Sequence, residues 1–273
     1  FPLAEAYRAC EYTLKMKNIK LQGLMTHPYH GAVTPLLTLA DGLSKRFGLD
    51  ISYLNFGGGF HTPTVKTVGL MDMAKDTLKR KIGFESSLDK AVSGPDIDEI
   101  AKTMVDSIKR KLERYGLPEP TLVFETGRYI VGNGGILLLR VVDIKKAANY
   151  QWIIANGGTN IFVCHGERHR ILVANRAKAT EYKEVNVTGP LLYASDFLAV
   201  KQRLPQLQRG DILAMLDVGA YNLSQSSQFL YPRPSAVLID QKGQIEIIRE
   251  RESHSDVLRL DKVNYPWACL GDD

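Results

Sequence analysis

Three consecutive glycines, Gly57, Gly58 and Gly59, directly follow a run with strand character, Ile51 to Phe56. Glycine has no Cβ atom, so its backbone N–H groups can approach a ligand closely, and it adopts a positive φ at little cost. N–H groups gathered at the end of a strand are suited to a phosphate group. In β/α barrels the ligand site lies at the carboxyl ends of the strands. A tight turn without a ligand explains glycines alone equally well.

Helix and strand patterns alternate through the first half of the chain. Apolar residues recur at helical spacing within residues 36–47 and 97–115, and Gly48 and Gly116 follow as helix stops. Short apolar runs at 20–25, 51–56 and 121–124 have strand character, and a partial helix is predicted near 70–81. This alternation is typical of a parallel sheet covered by helices.

The pattern changes near residue 140, where strands separated by turn residues replace helical periodicity. The predicted strands are 136–144, 152–155, 170–175, 182–188, 212–218, 236–240 and 244–251. The sequence therefore predicts two domains, an α/β domain in residues 1–140 and an all-β domain in residues 141–273.

Composition narrows the functional classes. The chain has 273 residues and a net charge of +5, with basic residues scattered and not interleaved with aromatic residues, which argues against a nucleic-acid interface. No apolar run reaches the ~18 residues of a membrane span. Three cysteines without metal-ligand spacing favour a reducing, cytoplasmic setting. The chain begins at Phe1 in mid-pattern, so we expect further sequence upstream.

Two polar positions follow predicted strands and are candidates for chemistry. Glu125 follows the run 121–124, and a carboxylate at the end of a buried strand needs a partner such as a protonated ring nitrogen or Arg128. A structural Glu–Arg pair is the alternative. His27 and His30 follow the run 20–25 and could stack on a ring, move protons or bind metal. A third ligand is not evident, so we predict no metal site.

Five motifs in one order resemble the fold-type III pyridoxal-phosphate decarboxylases, the diaminopimelate, ornithine and arginine decarboxylase relatives of alanine racemase. The resemblance covers nearly the whole chain. The motifs are LNFGGGF at 54–60, ETGRY at 125–129 with VGNGG at 131–135, GP at 189–190 with SD at 195–196, DVGAY at 217–221, and YPRP at 231–234.

The resemblance implies a fold and an assembly. The family fold is a β/α barrel with a carboxyl-terminal β domain, so residues 1–140 would be the later part of a pyridoxal-phosphate-binding barrel. The expected assembly is a head-to-tail homodimer with shared active sites, and the expected reaction is decarboxylation of an amino acid.

The resemblance also assigns roles to individual residues. Gly57, Gly58 and Gly59 would hold the cofactor phosphate, and Glu125 would pair with the pyridinium nitrogen. His27 would stack on the ring face. The remaining implied contacts are those of Arg128 with the phosphate or the substrate carboxylate, and of Tyr221 with the phosphate.

The chain departs from the family pattern in three respects. The Schiff-base lysine lies on the first barrel strand and is expected upstream of residue 1. The family's Cys-Glu-Ser is replaced by Leu192, Tyr193 and Ala194, which leaves Tyr193 as a candidate proton donor. The Arg-Pro-x-x-Tyr substrate segment is missing, and either Arg168 or Arg170 nearby suggests an acidic substrate. These departures predict a substrate other than ordinary diaminopimelate or ornithine.

Two other hypotheses for the function stay open. The absence of the Cys-Glu-Ser motif is consistent with a non-catalytic homologue that regulates an active paralogue, although an inactive site would have no need of the glycines and Glu125. A racemase of the same barrel class is disfavoured by Glu125, because a protonated pyridine favours the fully delocalised carbanion.

Overall fold

The computed structural model describes residues 2–60, 62, 66–67, 75, 96–147, 150–163, 167–176 and 181–262. The chain separates into two compact units. The first contains Phe1–Ile136, Gly166–Arg170 and Leu216–Ala220, and the second contains Leu137–His165, Ile171–Met215 and Tyr221–Asp273. Apart from residue 75, the predicted helix near 70–81 lies outside the described residues.

The first unit alternates helices with short strands. Its elements are α1 (Leu3–Leu14), β1 (Gly23–Met25), α2 (Val33–Phe47), β2 (Tyr53–Asn55), β3 (Lys66–Thr67), α3 (Ile97–Tyr115), β4 (Thr121–Val123), α4 (Gly127–Val131), a 3₁₀ turn (Gly132–Gly134) and β7 (Glu167–Arg168). The predicted helices and strands in 20–25, 36–47, 51–56, 97–115 and 121–124 are confirmed, with strands shorter than expected.

Helix boundaries follow the capping residues. The Asp96 side chain accepts a hydrogen bond from the Asp98 N–H at 3.1 Å and begins α3. Gly48 and Gly116 end α2 and α3 in left-handed conformation, with φ of 62° and 65°. The apolar faces of both helices pack into one core, which includes Leu37, Leu43, Leu54, Phe56, Ile108 and Leu112.

A three-stranded parallel sheet with the order β1-β2-β4 forms the centre of this unit. Leu24 lies beside Leu54, which lies beside Leu122. All three strands run in one direction, so the residues that follow them emerge at one edge of the sheet. Strand β4 is half-buried or exposed because it is an outer strand of this sheet, so the expectation that Glu125 follows a buried strand is wrong for the described residues.

The second unit is built from strands. Its strands are β5 (Ile136–Ala147), β6 (Tyr150–Ala155), β8 (Ile171–Val173), β9 (Tyr182–Thr188), β10 (Phe197–Pro205), β11 (Ile212–Leu216), β12 (Ala236–Ile239) and β13 (Ile245–Arg249), followed by helix α5 (His254–Leu258). A six-stranded sheet has the order β10-β9-β6-β5-β11-β8, and a separate hairpin pairs β12 with β13.

Strand β10 was not predicted from the sequence. Its pairing with β9 shifts register between Phe197 and Ala199 and again between Ala199 and Gln202, and Lys201 has a φ of 50°. Such irregularities interrupt the alternation of apolar and polar residues that identifies a strand. Among the described residues no helix combines the length and apolar character needed to cross a membrane.

Candidate active site

Backbone hydrogen bonds draw together the segments that follow β1, β2 and β4. The Thr26 N–H donates to the Asn55 carbonyl at 3.0 Å. The Phe56 N–H donates to the Val123 carbonyl at 3.0 Å, and the Glu125 N–H donates to the Gly57 carbonyl at 3.0 Å. The pairing of the parallel strands therefore continues past their ends, and it brings the predicted residues of three separate motifs to one edge of the sheet.

Asn55 connects two of the predicted site residues. Its Oδ1 accepts a hydrogen bond from the Gly57 N–H at 2.8 Å, and its Nδ2 donates to Glu125 Oε1 at 2.9 Å. The side chain thus stabilises the first turn of the glycine segment and orients the carboxylate. The Glu125 side chain is exposed, so this amide is the contact that restricts its position among the described residues.

His27 is held over the glycine segment by its ring. The Gly58 N–H donates to His27 Nδ1 at 3.1 Å, which assigns Nδ1 as an acceptor and places the proton of the neutral ring on Nε2. The residue as a whole is exposed. An exposed imidazole ring therefore lies at the same edge as Glu125.

The glycines are required by close backbone packing. A Cβ atom on Gly57 would lie 2.5 Å from the Thr26 carbonyl oxygen, and one on Gly58 would lie 2.8 Å from the Glu125 carbonyl oxygen. Gly57 and Gly59 also have positive φ values, 66° and 96°. Any side chain on Gly57 or Gly58 would displace His27 or Glu125 from the edge of the sheet.

The amides of the glycine segment are not all available to a ligand. The N–H groups of Gly57 and Gly58 donate to Asn55 and His27, whereas the Gly59 N–H has no acceptor among the residues that the structure describes. The binding of a phosphate by all three glycines stays a prediction. Of the three, Gly59 has the N–H group that could donate to a ligand.

Aromatic side chains pack next to the glycine segment. The Tyr29 N–H donates to the Gly58 carbonyl at 3.1 Å, and the Tyr29 ring stacks on Phe60 with centroids 4.1 Å apart. Both side chains are buried, and burial raises the pKa of the Tyr29 hydroxyl. Tyr29 therefore acts as a packed support for the glycine segment.

Two arginines were predicted to bind anionic groups. Arg128 is half-buried in α4, three residues after Glu125. Arg168 is half-buried in β7, where its backbone pairs with Lys66 of β3. Both residues belong to the first unit with His27 and Glu125, and their roles toward phosphate or substrate stay predictions.

Two glycine motifs that are distant in sequence are hydrogen-bonded to each other. The Gly219 N–H donates to the Gly132 carbonyl at 2.9 Å, and the Val218 N–H donates to the Gly135 carbonyl at 3.1 Å. A Cβ atom on Gly135 would lie 2.8 Å from the Val218 carbonyl carbon. Val218 and Gly219 are therefore bonded to the 3₁₀ turn that follows α4 and to Gly135.

The predicted tyrosines both lie in the second unit. The Tyr193 hydroxyl is 2.5 Å from Thr159 Oγ1, and its ring meets Phe229 edge-on with centroids 5.8 Å apart. Tyr221 has a φ of 68°, and its carbonyl accepts a hydrogen bond from the Gln225 N–H at 2.7 Å. The roles of both tyrosines toward cofactor and substrate stay predictions.

The residues that orient the predicted site residues were not predicted from the sequence. Asn55 had a usable signal, because an asparagine two residues before a glycine is typical of a side-chain turn onto the backbone. The contact of Thr159 with Tyr193 had none, since the two residues are 34 residues apart in the chain.

Comparison with known proteins places the chain in a family. Residues 37–219 match the model described as pyridoxal-dependent decarboxylase, C-terminal sheet domain. A diaminopimelate decarboxylase of Methanothermobacter thermautotrophicus is 33% identical over 240 residues, which cover 86% of this chain and 50% of that protein. The chain thus spans about half the length of the curated relatives it matches.

Solved structures of similar proteins also match most of this chain and little more than half of their own length. A crystal structure from Aquifex aeolicus matches with a TM-score of 0.70 at 27% identity, covering 96% of this chain and 60% of that one. The diaminopimelate decarboxylase of Methanocaldococcus jannaschii, in a co-complex with L-lysine, gives a TM-score of 0.68 at 24% identity over 94% of this chain and 56% of that one. The predicted fold class, part of an α/β barrel plus an all-β domain, is confirmed. The boundary at residues 140 and 141 stays a prediction.

Proposed function

Because this chain belongs to the pyridoxal-dependent decarboxylases, we propose that it forms the cofactor-binding part of an enzyme that removes CO₂ from an amino acid. The observation that carries the proposal is the network at the edge of the parallel sheet. There Asn55 connects Glu125 to the glycine segment, and Gly58 holds the His27 ring beside it.

The residues present fit pyridoxal phosphate, which has a flat ring, a ring nitrogen and a phosphate group. The exposed face of His27 offers a surface for the ring, and the Glu125 carboxylate offers an acceptor for a protonated ring nitrogen. The Gly59 N–H, which lacks an acceptor among the described residues, and the Arg128 guanidinium offer donors to the phosphate. Tyr221 is the further residue proposed for the phosphate.

Glu125 has the decisive chemical role in this proposal. Bound here, the cofactor would supply an electron sink for the electron pair left on Cα when CO₂ departs. Glu125 would keep the proton on the ring nitrogen, and Asn55 holds Glu125 in place through the 2.9 Å hydrogen bond. Arg128 and Arg168 would provide positive charge for the carboxylates of an amino-acid substrate.

Diaminopimelate is the first substrate to test, because the relatives carry that name and one of them was crystallised with L-lysine, which is diaminopimelate less one carboxyl group. A second candidate is an amino acid with a different distal group. The observation that favours it is the sequence Leu192, Tyr193 and Ala194 in place of the family's Cys-Glu-Ser. No comparison supports this altered specificity over diaminopimelate.

The proposal extends to assembly and location. We expect the enzyme to work as a homodimer with shared active sites in the cytoplasm. The alternative of a non-catalytic regulatory homologue predicts cofactor-independent binding to an active paralogue and no CO₂ release.

A matched pair of glutamate variants tests the proposal in the complete gene product. Glu125→Gln removes the charge that holds the ring proton, so CO₂ release is expected to fall by about 100-fold or more while the cofactor still binds. Glu119→Gln changes an exposed glutamate before β4 and should leave the rate unchanged. A Glu125→Gln variant with the wild-type rate would contradict the role assigned to Glu125.

A further inference from the structure

One buried histidine of the first unit, His169, contacts a backbone carbonyl group. The residue is 6% exposed and directly follows Arg168, the last residue of β7. Its ring nitrogen Nδ1 lies 2.8 Å from the carbonyl oxygen of Leu216, which belongs to the same unit. A carbonyl oxygen only accepts hydrogen bonds, so this contact assigns the ring proton to Nδ1, which donates it to Leu216.

The segment around His169 holds both backbone groups of Leu216. The Leu216 N–H donates to the Arg170 carbonyl at 2.9 Å, and the Leu216 carbonyl accepts from the His169 ring. That carbonyl belongs to the peptide unit leading into Asp217, which is 8% exposed and has a φ of 62°. A left-handed conformation of a residue other than glycine persists only where the surrounding contacts impose it. The bond from the His169 ring is one such contact.

The other end of this strained turn is bonded to the 3₁₀ turn that follows α4. The Gly219 N–H donates to the Gly132 carbonyl at 2.9 Å. A Cβ atom on Gly219 would collide with the Val131 carbonyl oxygen. The two segments are therefore packed backbone against backbone, so a shift of the turn at Asp217 would be passed on to Gly132.

Gly132 in turn contacts Arg128. Its N–H donates to the Arg128 carbonyl, and a Cβ atom on Gly132 would lie 3.5 Å from Arg128 Cγ. The stem of the arginine side chain thus begins against the same glycine that accepts from Gly219. A continuous series of contacts within the first unit runs from the His169 ring through residues 216–219 to Arg128.

We propose that His169 positions Arg128. By donating to the Leu216 carbonyl, the His169 ring fixes the turn at Asp217, and this turn holds the backbone from which the Arg128 side chain starts. The guanidinium is thereby kept where it binds the cofactor phosphate. His169 is a positioning residue and contacts neither cofactor nor substrate. The proposal rests on the proposed decarboxylase function, in which Arg128 binds the phosphate, and deepens it.

Two ligands separate this role from a general loss of structure: pyridoxal phosphate, and pyridoxal, which lacks the phosphate. Both are titrated by absorbance into the complete gene product after removal of bound cofactor. The measured quantity is the phosphate preference, defined as the dissociation constant of pyridoxal divided by that of pyridoxal phosphate. In His169→Gln the amide donor lies one bond further from the backbone than Nδ1, so the preference should fall about tenfold. His169→Asn keeps an N–H at the position of Nδ1 and should retain the wild-type preference.

A double-mutant cycle connects the effect to the arginine. Arg128→Gln alone should lower the phosphate preference at least as much as His169→Gln does. Adding His169→Gln to Arg128→Gln should lower it no further, because no guanidinium remains to be positioned. His254→Gln, which changes an exposed histidine of α5, is the matched control and should behave as wild type.

Three results would overturn the proposal: additive losses in the cycle, a folded His169→Gln variant with the wild-type preference, or a His169→Asn variant as impaired as His169→Gln. Wild-type protein that binds neither ligand would instead overturn the proposed function.

Nitrogen NMR of histidine-labelled wild-type protein tests the hydrogen bond itself, and it does so even if His169→Gln fails to fold. The signals of His169 are identified by their absence from the spectrum of His169→Asn. In alkaline buffer, where free imidazole is neutral, these signals should show the proton on Nδ1. A proton on Nε2 would contradict the bond to Leu216 and overturn the proposal.

Discussion

At the scale of single residues, the site depends on side chains that orient other side chains. Asn55 accepts from the Gly57 N–H and donates to Glu125, so one amide fixes both a turn and a carboxylate. The motifs pointed to Glu125 and the glycines as candidates. The hydrogen bond between Asn55 and Glu125 could not be predicted, because these two residues are 70 positions apart in the chain.

Replacing Asn55 should therefore weaken cofactor binding. Asn55→Ala frees the Glu125 carboxylate and removes the acceptor for Gly57, and we expect the affinity for pyridoxal phosphate to fall about tenfold. The measurement is a titration followed by absorbance in the complete gene product. Asn156→Ala, which removes an acceptor from the Arg140 N–H in the other unit, is the control. Equal affinities for Asn55→Ala and wild type would refute the role of Asn55.

Gly58 provides a second test at this scale. An added Cβ atom would lie 2.8 Å from the backbone oxygen of Glu125, which cannot move without disturbing β4. Gly58→Ala should lower the free energy of unfolding by about 1–3 kcal/mol, measured by urea denaturation. At Gly134 a Cβ atom would meet nothing within 4 Å, so Gly134→Ala should be neutral within about 0.5 kcal/mol. Similar losses in both variants would argue against close packing at Gly58.

At the scale of elements, the sequence predicted what local rules determine. Helix α3 was predicted over residues 97–115 because its apolar spacing and the glycine that follows it, Gly116, agree, and the structure confirms it. Strand β10 was missed because its bulges arise from pairing with β9, which is a non-local contact. The exposure of β4 likewise depends on which strands surround it and not on its own residues.

Removal of the α3 cap tests the local rule. Asp96→Ala deletes the acceptor for the Asp98 N–H and should lower the free energy of unfolding by about 1 kcal/mol. Asp96→Asn keeps an acceptor and should recover most of the loss. Urea denaturation of the complete gene product measures both, and a full loss in Asp96→Asn would show that capping is not the cause.

The ends of the β12–β13 hairpin make a pH-dependent contact. Glu252 accepts hydrogen bonds from the Arg233 N–H at 2.9 Å and from Gln228 Nε2 at 3.0 Å. The Arg233 backbone N–H is the largest cause that lowers the pKa of Glu252, followed by Gln228. A lowered pKa favours the ionised folded state. The stabilisation is therefore present above the unfolded pKa of about 4.3, and it is lost as the pH falls through the lower folded value.

Thermal melts between about pH 6 and pH 3 test whether Glu252 stabilises the folded state only while it is ionised. The melting temperature of wild type should drop more steeply on acidification than that of Glu252→Gln, in which the charge is absent at every pH. Glu250→Gln removes an exposed carboxylate two residues away and should keep the wild-type slope. A Glu252→Gln slope as steep as wild type would contradict the contribution of this contact.

At the scale of the whole molecule, motif order identified the family from the sequence. Each motif is short, but their succession matches one family, and the comparisons agree. Substrate choice was less accessible, because Leu192, Tyr193 and Ala194 show only that the family residues are absent. The contacts of Thr159 with Tyr193 and Asp196 could not be predicted either, because they depend on the fold of the second unit.

The most direct test of the account is CO₂ release from carboxyl-labelled diaminopimelate by the complete gene product, measured with and without added pyridoxal phosphate. The account predicts release that requires the cofactor and yields one lysine for each CO₂. Binding of the cofactor without release of CO₂ from diaminopimelate or other amino acids would contradict the decarboxylase function and favour the regulatory alternative.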